Sequence, residues 1–215
     1  LGNKIFSISS DVLKAKFSGL FEVGQIPAMA LQHRAKYHPG FSKRLKINSK
    51  DALVGASRFD FFVEVLNSKG FENLIDPGLG SLSGTKLEGH FDNRQGVLNA
   101  DLQSPWLQVN RFYLEDIALK IKTQNGKGTL DFGVNRMVLN EKQEFEPLAI
   151  LMQVHGDSLD YGLNYARKKK ENAQHGLDNL NIDGRLFVQD SNTLVNHIVY
   201  SQNELLGDIW IINKE

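Results

Sequence analysis

The chain has 215 residues, with 25 lysines and arginines balanced by 25 aspartates and glutamates. Zero net charge argues against a nucleic-acid binder, which needs a dense basic face, and a 41% hydrophobic content excludes a disordered chain. The absence of cysteine excludes disulfides, zinc thiolates and cysteine nucleophiles, and suits an oxidising compartment without fixing one.

From the start, the pattern has period two. Leu13, Ala15, Phe17, Gly19 and Phe21 alternate with Lys14, Lys16, Ser18 and Glu22. Gln25 to His38 breaks the alternation. Pro27 near its start and Pro39-Gly40 after its end predict a helix of about three turns. A second short helix is expected over Lys69 to Ile75, stopped by Asp76-Pro77-Gly78.

Alternation then resumes and holds to the end. Leu98, Ala100 and Leu102 form one run, and Ile117, Leu119 and Ile121 the next. Leu130, Phe132 and Val134 follow, then Leu148, Ile150, Met152 and Val154, then Leu159, Tyr161, Leu163 and Tyr165. Leu180, Ile182, Leu186 and Val188 close the series. Each run gives a strand one apolar and one polar face. Asp92 to Gly96, Asn125 to Gly128 and Gly156-Asp157 carry turn chemistry and predict hairpins. Leu114 and Ile117 are out of phase, which predicts a bulge or a corner at Glu115-Asp116. Short turns between consecutive strands predict an antiparallel meander, and residues 1–215 are expected to form a single β-rich unit. The polar run Ala166 to His175 reads as an exposed loop.

A frame of apolar-x-Gly-x-apolar recurs at Phe17 to Phe21, Leu87 to Phe91 and Ile182 to Leu186. Glycine in mid-strand predicts close backbone approach or strong curvature. The spacing is too irregular for a strict solenoid.

The sequence offers little chemistry. His33, His38, His90, His155, His175 and His197 show no metal-ligand spacing and read as surface or packing residues. Asn179, Asn181, Asp183, Gly184 and Asp190 imitate a calcium loop, but without Asp at the first position or Glu at the last. Leu180, Ile182, Leu186 and Val188 alternate through that segment, so a strand is the better reading. Arg167 to Lys170 could meet an anionic headgroup, but Glu171 beside it favours a solvated loop. Trp106, Tyr113 and Trp210 read as core or cross-strand partners. No metal, no cofactor and no catalytic residue is expected. A sugar hydrolase would need two converging carboxylates, and the acidic residues here mostly occupy polar alternates.

Several segments together resemble a known family. These are Ser9 to Ala15 with Ser18 to Val23, a short helix ending Tyr37-His38-Pro39, and Phe59 to Asn67 followed by Thr85 to Asp92. Leu98 to Leu107 and Ile182-Asp183-Gly184-Arg185 to Ile209-Trp210-Ile211-Ile212 continue the likeness. The chain is similar to the long AsmA-like proteins of Gram-negative bacteria, above all the TamB translocation and assembly module of Bacteroidota. The resemblance implies a protein anchored in the inner membrane that crosses the periplasm to the outer membrane. It implies a long antiparallel β-sheet curled lengthwise into an apolar trough, a β-taco. It also implies phospholipid acyl chains as cargo and an outer-membrane barrel-assembly partner of the TamA or BamA type. The chain opens on Leu1 and closes on a strand-like stretch, so a fragment of such a protein is expected.

Two readings follow. In the first, the apolar face conducts lipid, lined by Leu98, Leu102, Leu119, Ile121, Leu130, Phe132, Ile150, Met152, Leu163, Ile182 and Leu186. In the second, the sheet folds into a closed, dry sandwich and acts as a scaffold through edges that pair with client strands. A sheet with one apolar face must cover it, and the two readings differ in what does so.

Overall fold

The computed structural model describes residues 2–37, 55–68, 81–109, 112–140, 143–145, 147–156, 158–166, 177–188, 194–205 and 208–213. The first strands are β1 (Lys4–Ser9), β2 (Leu13–Leu20), β3 (Arg58–Val65), β4 (Lys86–Asp92) and β5 (Val97–Val109). Next come β6 (Phe112–Gln124), β7 (Lys127–Asn140), the short β8 (Gln143–Phe145) and β9 (Leu148–His155). The last are β10 (Ser158–Ala166), β11 (Leu177–Val188), β12 (Leu194–Leu205) and β13 (Asp208–Asn213). A 3-10 turn over Val23–Gln25 leads into one helix, α1 (Ile26–Tyr37).

All thirteen strands belong to one antiparallel sheet in chain order, with β8 and β9 both pairing β7. The sheet does not close, because β1 and β13 lie at its two ends. This is the all-β meander that alternation predicts, as an open trough and not a sandwich. The expected second helix at Lys69 to Ile75 and the loop at Arg167 to His175 lie outside the described residues.

The turns follow from their residues. Asn125 and Gly126 alone join β6 to β7, with φ of 53° and 77°. Both central residues of such a turn must be left-handed, which Asn and Gly tolerate best. At the β4–β5 turn the buried Asp92 carboxylate accepts the N–H groups of Arg94 and Gln95, each at 3.0 Å.

Glu115-Asp116 proves to be a corner and not a bulge. Ser104 faces Ile117 and Trp106 faces Glu115, so no residue is inserted. Asp116 instead takes φ 51°. The register sets Pro105 on one side of it and Asn135 on the other, and Asn135 Nδ2 donates to Asp116 Oδ2 at 3.3 Å. One strand further, Pro147 separates β8 from β9. Met137 faces Phe145 and Val134 faces Leu148, so β8 and β9 keep one register along β7 on either side of Pro147, which lacks an N–H. The apolar alternation changes phase at the corner, from Leu102, Ile117 and Val134 to Leu107, Leu114 and Met137. Trp106 and Tyr113 pack beyond it, with ring centres 5.9 Å apart. Register shifts do occur elsewhere: at Val199, where β12 slips against Asp183 and Gly184, between Leu177 and Asn179 on β11, and between Val138 and Asn140 on β7.

The core sits under α1. Phe21, Met29, Phe59 and Phe91 are buried together, with Phe6, Phe17, Ile26, Phe61 and Leu98 packed around them. Met29, His33 and Tyr37 recur one helical turn apart, so all three meet the sheet. Each buried ring contributes about 1.5–3 kcal/mol.

Glycine makes room for aromatic rings. Gly89 lies opposite Phe61, and Gly184 opposite Tyr161. A Cβ on Gly89 would come within 2.6 Å of the Phe61 ring and would strike the Asn99 carbonyl oxygen. A Cβ on Gly184 would come within 2.5 Å of the Tyr161 ring. Two of the three repeated frames therefore use the same device, a ring laid over a glycine on the next strand. Gly89→Ala is expected to cost about 1–3 kcal/mol, because a backbone carbonyl cannot swing aside. Gly133→Ala meets nothing within 4 Å and is expected to be neutral or stabilising by up to about 1 kcal/mol. Urea unfolding of the two variants checks this contrast, and equal losses would refute it.

Candidate functional site

In an antiparallel pair, residues directly opposite each other share a face. The pairings therefore trace continuous rows across the sheet. One runs Leu87, Leu102, Leu119, Phe132, Ile150, Leu163 and Ile182. Another runs Phe17, Phe61, Gly89, Ala100, Ile121, Leu130, Met152, Tyr161 and Gly184. A third joins Phe91, Leu98, Thr123, Gly128, Val154, Leu159 and Leu186. All three lie on one face.

All eleven residues singled out from sequence fall in these rows, and every one is half-buried. Val134 and Val154 on the same face are fully buried, so the wall is tightly packed at those points. Half-burial marks side chains that shield one another along a wall. Alternation also placed Ala100, Ile117, Tyr161 and Leu180 on this face without their being singled out. Phe17, Phe61 and Leu87 were missed, although their strands alternate just as clearly.

The opposite face is polar. Glu64 accepts Lys86 at 3.3 Å and lies 4.0 Å from Lys14, and Asp101 lies 3.9 Å from Lys120. His90 Nδ1 meets Asp60 at 2.7 Å. Arg185 grips Asp160 with two bonds, one from Nε and one from Nη2, the latter 3.0 Å long. That hydrogen bonding holds the Asp160 carboxyl below the usual carboxylate range; partial burial opposes it, and the charges of Arg185 and His155 assist. A lowered value stabilises the fold above the ordinary carboxylate range, and the gain is lost as pH falls through the lowered value. Asp160→Asn is therefore expected to lower the melting temperature slightly near about pH 7 and not near about pH 2. A loss that persisted in acid would remove the ion pair as its cause. Asp131 is exposed, as a solvent-facing alternate should be. Leu151 opposite it is 48% exposed, so nothing among the described residues covers this face there.

A depression of about 580 Å³ lies on the polar face near Asp160, Asp183, Arg185 and His197. Its strongest cation and anion already neutralise each other. An apolar pocket of about 420 Å³ lies on the other face, between α1 and strands β2 to β5. Phe17, Met29, Phe59, Phe61, Leu87 and Leu98 are among its walls. In its wall His33 Nε2 shares a hydrogen bond with Thr123 Oγ1 at 2.9 Å, and one helical turn on the Tyr37 hydroxyl donates to the Gly96 carbonyl. His33 also packs between Phe91 and Tyr37, with ring centres 5.4 and 4.7 Å away. It is the packing histidine that its isolation in sequence predicts.

No protein-family model, no curated protein and no solved structure matches this chain. The site's own chemistry therefore carries the functional reading. Asn179, Asn181 and Asp183 lie along β11 as a strand, not a calcium loop. Among the described residues, no three of His, Asp or Glu gather where they could hold a metal ion, and no helix is long and apolar enough to cross a membrane. What the arrangement offers is a wide hydrocarbon surface backed by a charged one.

Proposed function

We propose that this chain is a segment of an AsmA-like, TamB-type protein whose apolar sheet face carries phospholipid acyl chains between the inner and outer membranes. The observation that carries the reading is the set of largely apolar rows. From β2 to β11 the rows cross nine strands, or roughly 38 Å at about 4.8 Å per step. The hydrocarbon core of a whole bilayer is about 30 Å thick. An acyl chain laid along a row therefore finds side chains for its full length. Each methylene it buries contributes about 0.8 kcal/mol.

The open sheet favours lipid over a dry scaffold, because a scaffold would need a second layer on the same face. On this reading the protein is not an enzyme and needs no cofactor. It works in the periplasm, anchored in the inner membrane, beside an outer-membrane barrel-assembly partner.

Native mass spectrometry tests the proposal. The 215-residue chain, incubated with phosphatidylethanolamine and phosphatidylglycerol vesicles and repurified, is expected to carry phospholipid adducts. A folded chain that emerges without lipid would refute the proposal.

A further inference from the structure

We infer that the pocket between α1 and the sheet receives the methyl end of an acyl chain whose remainder lies along the open rows; this rests on the lipid-carrying function proposed above. The pocket's volume of about 420 Å³ falls within the roughly 300–1,000 Å³ typical of small-molecule sites. Among the described residues, no charged side chain lines it. The polar side chain in its described wall, His33, is engaged with Thr123. A headgroup or carboxylate placed there would lose its water and gain no partner. A hydrocarbon terminus loses nothing.

The pocket also opens onto the rows. Leu87 heads the row through Leu102, Leu119 and Phe132, and Phe61 stands in the row through Ala100 and Ile121. A chain following either row toward β3 passes from one apolar wall to two, sheet below and helix above. Burial per methylene is greatest where both walls are present. Polarity and burial together set the direction, methyl end under α1 and polar end away from it.

Photo-crosslinking of the full 215-residue chain tests this with two palmitic acid analogues. One carries a diazirine at the methyl end, the other beside the carboxyl. The methyl-end probe is expected to label Met29, Phe59 and Phe91, and the carboxyl-end probe the row through Leu119, Phe132 and Ile150. Ala30 lines the pocket from the exposed side of α1, so Ala30→Trp should fill the mouth without disturbing the core. Pocket labelling is then expected to fall about tenfold, equivalent to about 1.4 kcal/mol, while row labelling persists. Circular dichroism confirms folding, and Ala30→Leu replaces the Trp variant should that one fail to fold. A methyl-end probe that labels only the strand rows would overturn the inference and leave lipid carriage standing. Pocket labelling that survives in the folded Ala30 variants would overturn it as well. If neither probe labels the apolar face, both the inference and the proposed function fall.

Discussion

Phe59→Ala is expected to destabilise the fold by about 3–5 kcal/mol, the range for deleting a buried ring. Phe59 is 6% exposed. Its ring centre lies 5.3 Å from that of Phe21, 5.4 Å from Phe91 and 6.1 Å from both Phe17 and Phe61. It is therefore the ring through which α1, β2 and β4 meet. Removing it leaves a cavity that four rigid neighbours cannot readily fill, and loosens the helix from the sheet. The urea midpoint should fall sharply. Leu151→Ala, at an exposed site, should stay within about 0.5 kcal/mol of the parent. A Phe59→Ala loss under about 1 kcal/mol would show that the aromatic cluster is not the core.

Phe132→Asp and Ile150→Arg are expected to leave the sheet folded while abolishing phospholipid retention. The two residues face each other across β7 and β9 and are both half-buried. On an open face a new charge can reach water, so the stability loss should be about 1–3 kcal/mol and the domain should survive. For an acyl chain the same charge is a barrier, because the chain must cross it or strip its water at a cost of several kcal/mol. The double variant is informative. Opposite charges directly across a strand pair recover about 0.2–1 kcal/mol, so stability should partly return while lipid retention does not. Asp131→Ala, on the exposed polar face, should leave both unchanged. Unfolding of both single variants would favour a closed core, and intact lipid retention in a folded variant would remove the conduit.

Much of this fold is legible in the sequence because strands and faces are local properties. Leu130, Phe132 and Val134 alternate with Asp131 and Asn135, and that alone assigns their faces. Pro27 fits the first turn of α1, whose observed bounds fall one residue inside those expected from sequence. Positions that depend on partners are not legible. Nothing in Met29 or His33 says that their helix will rest on Phe59 and Phe91, since Leu102 and Leu119 alternate equally well. The corner at Asp116 is visible as a phase slip, but choosing a corner over a bulge requires the register of Pro105 and Asn135. The Val199 bulge leaves no mark, because Ile198, Val199 and Tyr200 suit either phase. The repeated glycine frame is half legible: it announces close approach, but not that Phe61 and Tyr161 are what approach.

Every strand in the meander bonds only to its neighbours in the chain, apart from β7 reaching past β8 to β9. Such a molecule is nearly one-dimensional in its energetics. Its stability is close to a sum of hairpin and neighbour-interface terms, like that of a repeat array. Apart from α1 and the long connection between β2 and β3, its contacts join successive strands, so loop closure costs little and zippering can spread outward from a formed hairpin. Opening should therefore begin at β1 and β13, and amide hydrogen exchange should slow stepwise toward the middle strands. An evolving chain of this kind can gain or lose a hairpin between existing ones and keep its greasy and charged faces in phase. Length becomes a freely adjustable quantity, and a surface of one chemistry can be drawn out to whatever distance it must span.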